Sequence, residues 1–182
     1  GYGTGLYSIP PYVAVKVPVF SFEKLADADT LLGPEMKSTG EVLGVASTLS
    51  EALYKGLTAA GYRMDSHGGV LFSVKNTDRP ELYDVAKRFS DLGCPLYATP
   101  GNARVLRETG LQVTEVPKLS SGSDMLLELI DRGDIAYVVS TSAKGRIPTR
   151  DSVRIRRKAI ERAIPCLTSI DTGNALAESM GR

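Results

Sequence analysis

From Val70 to Met180, short apolar β-rich runs alternate five times with amphipathic runs of helix length. This alternation constrains the fold more than any other feature. Parallel strands joined by helices stack into one sheet with helices on both faces. The strands read Val70–Val74, Pro95–Ala98, Gln112–Val116, Ile135–Val139 and Pro165–Ile170. The first helix reads Asp78–Leu92, with Leu82, Val85, Ala86, Phe89 and Leu92 on one stripe. Ala103–Thr109 follows, then a helix opened by Ser123 or Asp124 with Leu126, Leu129 and Ile130 inward, then Asp151–Ala163 and Thr172–Met180. Gly93, Gly110 and Gly133 end the first three helices. The expected class is α/β, a doubly wound five-stranded parallel sheet, with the nearly all-apolar Ile135–Val139 as its most buried strand.

Ligands of such sheets sit at the carboxyl ends of the strands. Those ends carry Ser73-Val74-Lys75, Thr99, Lys118 and Ser140-Thr141-Ser142: hydroxyls and lysines, without a base–nucleophile pair. The run Leu96–Arg104 (LYATPGNAR) takes a strand into a helix through Thr99-Pro100-Gly101-Asn102. A helix start leaves backbone N–H groups unpaired, and with the helix dipole these attract anions, phosphate above all. The rim therefore reads as a phosphate-binding edge without an obvious catalytic group. Asp151-Ser152 reads as an N-cap.

Residues 1–66 do not read as a self-sufficient domain. Tyr12–Phe22 is β-rich but interrupted by Pro18, which suits an edge strand. Leu31–Glu41 is a Gly/Pro-punctuated loop, and Val42–Val45 a short strand. Thr48 with Glu51 forms a capping box before a helix faced by Leu53, Leu57 and Ala60, and Gly61 closes it. So small an α+β remnant needs a neighbour to cover it. His67 lies in a Gly/Ser-rich linker and reads as a hinge residue.

The chain has 182 residues and a net charge of +1, which gives no electrostatic case for nucleic acid or an acidic membrane. Lys144–Arg162 holds eight Lys or Arg against two acids, but without interleaved aromatics it reads as a solvated helix face or a subunit contact. No apolar run approaches the roughly 20 residues of a membrane span. Cys94 and Cys166 sit in apolar contexts and read as reduced thiols of a cytoplasmic protein. Position 1 is not Met, so the chain reads as a piece of something longer.

Tyr12–Phe22 (YVAVKVPVFSF) followed by Leu32–Val42 (LGPEMKSTGEV) resembles the end of the second synthetase half of the carbamoyl-phosphate synthase large subunit. The region from Val70 resembles that subunit's C-terminal allosteric domain, of methylglyoxal-synthase-like fold. The marks are Ala98-Thr-Pro-Gly101, Lys118, Arg150-Asp-Ser152, Arg154-Ile-Arg-Arg157 and the run Pro165–Thr172. The resemblance implies a tail of the ATP-grasp synthetase domain with its linker over 1–66 and an allosteric domain over 67–182. It implies a parent ligase that makes carbamoyl phosphate from glutamine or ammonia, bicarbonate and ATP, with Mg or Mn, for pyrimidine and arginine synthesis. The fragment itself is expected to be non-catalytic, without cofactor or metal. Implied partners are a nucleotide monophosphate (UMP, or IMP), a glutaminase small subunit, the rest of the large subunit and a further copy of the chain, with no nucleic acid and no membrane. The matching effector positions are Ser73, Arg79, Thr99, Asn102, Lys118, Ser140, Thr141, Ser142 and Ser152. Arg79, Thr99, Asn102 and Lys118 are expected to hold the phosphate, and Ser140 to Ser142 to face ribose and base.

Some positions depart from the better-known pattern. Arg79 stands for a Lys, Asn102 for a Thr and Ser140 for an Asn. At the ornithine positions Val17 replaces a Glu and Cys166 a Tyr, and only Thr168 is kept, so no ornithine activation is expected. The alternative is a free-standing methylglyoxal synthase-type lyase. It requires a carboxylate base beside the phosphate site, but Ser121-Gly-Ser-Asp124 stands where that family has Gly-Gly-Asp. A passive oligomerisation module is compatible with the basic helix.

Overall fold

The computed structural model of the protein describes residues 9–19, 40–141 and 150–181. The expected loop over 31–39, the end of the first strand and residues 142–149, including Ser142 and Lys144, lie outside them. The chain opens with an antiparallel pair, β1 (Val13–Val19) and β2 (Gly40–Ala46), and a helix, α1 (Leu49–Ala59). Thr48 caps α1 as its spacing predicts: its hydroxyl accepts the Glu51 N–H at 3.3 Å.

The alternating part follows in order: β3 (Gly69–Ser73), a 3-10 turn over Asn76–Asp78, α2 (Arg79–Asp91), β4 (Leu96–Ala98) and α3 (Pro100–Glu108). Then come β5 (Thr114–Glu115), a 3-10 turn over Leu119–Ser121, α4 (Met125–Asp131), β6 (Ile135–Ser140), α5 (Arg150–Glu161), β7 (Cys166–Leu167) and α6 (Ile170–Met180). The five strands pair in parallel in the order β5-β4-β3-β6-β7. The fold is the expected doubly wound α/β sheet. Strand order reverses between β3 and β6, which opens a crevice at their carboxyl ends.

Alternation along the strands divides the core. Val70, Phe72, Tyr137 and Val139 point to one face and pack with Leu82, Val85 and Phe89 of α2, Leu106 of α3 and Leu176 of α6. Leu71 and Val138 point to the other, joined by Ile135 across a register irregularity in β6, against Leu126 and Ile130 of α4 and Ile155 and Ala159 of α5. Gly173 lets α6 approach closely: a Cβ there would lie 3.2 Å from Val85 Cγ2.

Several boundaries differ from expectation. The second helix of the alternating part starts at Pro100, three residues early, because Pro suits the first helical position, where its missing N–H costs nothing. The edge strands β5 and β7 shrink to two residues, each with a partner on one side only. Asp151 lies inside α5, and its carboxylate accepts the Ser120 N–H at 2.9 Å, so it braces the 3-10 turn instead of capping its own helix.

The described part of 1–66 packs on the sheet domain through one side, while Tyr12, Leu43, Val45, Leu49 and Tyr54 stay exposed on it. Val17 of β1 and Leu53, Leu57 and Ala60 of α1 are buried in the same core as Val70 and Leu176. A Cβ on Gly44 would overlap the Ala52 carbonyl, so β2 and α1 meet backbone to backbone. The linker is fastened and not a free hinge. The Tyr137 hydroxyl accepts the Asp65 N–H at 2.7 Å and donates to the Asp65 carbonyl at 2.8 Å. Cys94 Sγ donates to the Ser66 carbonyl at 3.6 Å, and the His67 ring Nδ1 lies 3.3 Å from the Leu92 carbonyl.

Candidate anion-binding cleft

A cleft of about 470 Å³ occupies the crevice where strand order reverses. Its lining includes Ser73 at the end of β3, Arg79 opening α2, Thr99 and Asn102 at the start of α3, Lys118 after β5 and Thr141 after β6. Six of the nine expected effector positions thus share one cleft. Ser140 is buried beneath it as the Cα partner of Ser73 and does not line it. Ser152, half-buried on α5, is also not among the lining residues, whereas Asp151 is.

Each cation has a different setting. Lys118 is exposed at the rim, and Arg79 is half-buried. Among the described residues neither is ion-paired, nor is Arg150, which joins the lining from α5. Arg79 lies across the start of α3: its guanidinium fills the space a Cβ on Gly101 would need, and its Nε is buried without a hydrogen-bond partner among the described residues. Lys75 is committed instead, 3.5 Å from the Asp78 carboxylate.

The start of α3 supplies backbone donors. Pro100 has no N–H, and the Asn102 and Ala103 N–H groups donate to the Thr99 carbonyl at 2.9 and 2.8 Å. The Gly101 N–H is left facing out of the first turn. With the helix dipole, that end favours negative charge.

Two side chains have roles that residue type alone conceals. The Thr141 hydroxyl accepts the Lys75 N–H at 3.1 Å and is hydrogen-bonded to Asp78. It therefore ties the β3 turn to the end of β6. Burial acts to raise the Asp78 carboxyl, but the bonds from Thr141 and Thr77 and the Lys75 ammonium outweigh it and hold the carboxyl below the usual range. The Asn102 amide donates to the Val74 carbonyl at 3.1 Å and to Thr99 Oγ1 at 2.9 Å, which leaves its Oδ1 buried without a partner. Asn76, Ser120 and Asp78 were not legible as site residues: turn positions with common polar side chains give no periodic signal.

A second hollow of about 570 Å³ lies along α3, between Arg79, Arg104, Arg107, Glu108 and Glu115. Two of its three arginines are neutralised, Arg107 by Glu115 at 3.1 Å and Arg104 by Glu108 at 4.0 Å, and the third, Arg79, is shared with the cleft. The cleft, with unpaired cations and hydroxyls, is the better anion site. The expected basic cluster is largely neutralised too, Arg154 by Asp124 and Lys158 and Arg162 by Asp131. At the positions expected for ornithine, Val17 is buried in the core, and burial pushes the Cys166 thiol up to about 11 against the pull of Arg156.

This doubly wound sheet is the fold of an MGS-like domain, and residues 81–168 match the family model described as "MGS-like domain". The crystal structure of methylglyoxal synthase from Elizabethkingia anophelis NUHP1 superposes with a TM-score of 0.54 over 64% of this chain and 80% of that one, and its 16% identity speaks for the fold alone. The carbamoyl phosphate synthase large chain of Lachnoclostridium phytofermentans (strain ATCC 700394 / DSM 18823 / ISDg) is 48% identical over 180 residues, 99% of this chain. The chain belongs to the carbamoyl phosphate synthase large chain family, as its MGS-like part. It spans 17% of that relative's length.

Proposed function

We propose that this chain is the C-terminal regulatory region of a carbamoyl phosphate synthase large chain, and that its cleft binds a nucleotide monophosphate, UMP first and IMP second. Residues 1–66 are then the tail of the synthetase domain with its linker, and 67–182 the allosteric domain. The observation that carries this reading is the meeting of unpaired Arg79 and Lys118 with the Thr99 hydroxyl and the α3 start in one cleft. The cations and the Gly101 N–H take the phosphate, and Ser73 with the neighbouring hydroxyls takes the sugar and base.

In such an enzyme the fragment controls the ATP- and Mg- or Mn-dependent synthesis of carbamoyl phosphate from bicarbonate and ammonia supplied by a glutaminase partner. The effector acts by preferring one of two states, a coupling typically of about 1–3 kcal/mol. The lyase reading has less support. Asp78 is tied to Thr141, Thr77 and Lys75 and held below the usual range, whereas a general base works best with a pKa near the working pH. Asp151 is occupied by the Ser120 N–H.

Calorimetric titration of the chain with UMP, then IMP, tests the reading. Micromolar UMP binding, weakened roughly tenfold or more in Lys118→Ala, is expected. IMP binding in place of UMP would reverse the expected sign of regulation. No binding of either would refute an effector site in this chain, and methylglyoxal formed from dihydroxyacetone phosphate would favour the lyase.

A further inference from the structure

Hydrogen-bond directions in the cleft assign different work to the two polar side chains at the start of α3. An Asn side-chain amide has two N–H donors and one carbonyl acceptor. Both donors of Asn102 are used inside the protein, one on the Val74 carbonyl at 3.1 Å and one on Thr99 Oγ1 at 2.9 Å. The Val74 carbonyl can only accept, so it fixes which way the amide faces. What Asn102 has left is Oδ1, buried and unpartnered, an acceptor that a phosphate oxygen would be repelled by. Asn102 is 3% exposed, so the amide has little room to turn.

Thr99 has the complementary arrangement. A hydroxyl has one hydrogen to give, and because Thr99 Oγ1 accepts from Asn102, that hydrogen must point elsewhere. It makes no cap bond to its own helix and has no acceptor among the described residues. Thr99 lines the cleft and is 5% exposed, so the direction left is the cleft itself.

We propose that Asn102 is a positioning residue: its amide turns the Thr99 hydroxyl hydrogen into the cleft, and Thr99, not Asn102, contacts the phosphate. The proposal rests on the effector reading above and revises one role within it. It also bears on the departure at position 102. A Thr there could give its own hydrogen to a phosphate, whereas this Asn acts at one remove, and the number of side chains touching the phosphate falls by one.

A double-mutant cycle with UMP and IMP as probes tests this on the 182-residue chain. Thr99→Val is expected to weaken binding roughly tenfold to a hundredfold, the loss of a hydrogen bond to a charged group. Asn102→Ala is expected to weaken it roughly threefold to tenfold, and the double variant to bind within about twofold of Thr99→Val alone. Should Asn102→Ala fail to fold, Asn102→Leu, which keeps the side-chain volume and has no hydrogen to give a phosphate, takes its place in the cycle. Losses that multiply in the double variant would show that Asn102 touches the ligand directly, and would overturn the proposal while leaving the effector site standing. Wild-type binding of neither nucleotide, or binding indifferent to Lys118→Ala, would instead remove the effector reading and this role with it.

Discussion

Gly101 and Arg79 face each other across the start of α3, and the guanidinium takes the space of the absent side chain. Gly101→Ala is expected to push Arg79 out of the cleft wall, weakening UMP binding several-fold while leaving the melting temperature nearly unchanged. A large loss of stability with unchanged affinity would show that the contact serves packing. Tyr137 offers the converse case, a buried ring whose hydroxyl pins the Asp65 backbone. Burial pushes this phenol up to about 12, so it stays protonated and donating through the physiological range. Tyr137→Phe is expected to cost about 1 kcal/mol in urea unfolding, because the exposed Asp65 groups recover water partners. At this scale the sequence was legible where chemistry is set by residue type. Lys118 and Arg79 are cations wherever they lie, and their positions at a strand end and a helix start place them at the rim. It was illegible where chemistry depends on direction. Nothing in the letters says that the donors of Asn102 are spent on Val74 and Thr99, or that Thr141 braces Lys75 and Asp78.

At the scale of elements, β2 and α1 approach so closely that only glycine fits at position 44. Gly44→Ala is expected to destabilise the chain by about 1–3 kcal/mol, the usual cost of overpacking, read from the shift of the urea midpoint. A neutral outcome would mean that the β1–β2 pair readily shifts away from α1. The periodic elements were legible because each buries one stripe or alternate residues: Leu82, Val85, Ala86 and Phe89 of α2 are all buried. Boundaries were less so. The edge strands β5 and β7 are cut short by the absence of an outer partner, which no local pattern records. The alternating residues of 1–66 gave strand and helix, but their docking onto α6 and the sheet is a long-range contact and could not be read from them.

At the scale of the whole molecule, one core runs from Val17 and Leu57 through Val70 and Phe72 to Leu176. The described parts of 1–66 and 67–182 are therefore expected to unfold together, in one calorimetric transition with equal calorimetric and van't Hoff enthalpies. Two resolved transitions would show that the shared core does not couple them. Acid should weaken this unit in a particular way. Burial acts to raise both Asp78 and Asp131, but the first is held low by Thr141, Thr77 and Lys75, and the second by Arg162 and Lys158. A depressed folded-state pKa contributes stability that is present above the unfolded value of about 4 and is lost as pH falls through the folded value. Urea unfolding between pH 6 and pH 2.5 should show that acid limb, and Asp131→Asn should flatten it. The cleft at the reversal of strand order is proposed to receive a nucleotide phosphate, and amide chemical shifts of the 15N-labelled chain recorded during addition of UMP put this to the test. Saturable shifts centred on Ser73, Gly101, Lys118 and Thr141, lost in Lys118→Ala, are expected. Shifts centred on the β1–β2 pair or on the hollow between Arg104 and Glu115, or no shifts at all, would rule the cleft out as the phosphate site.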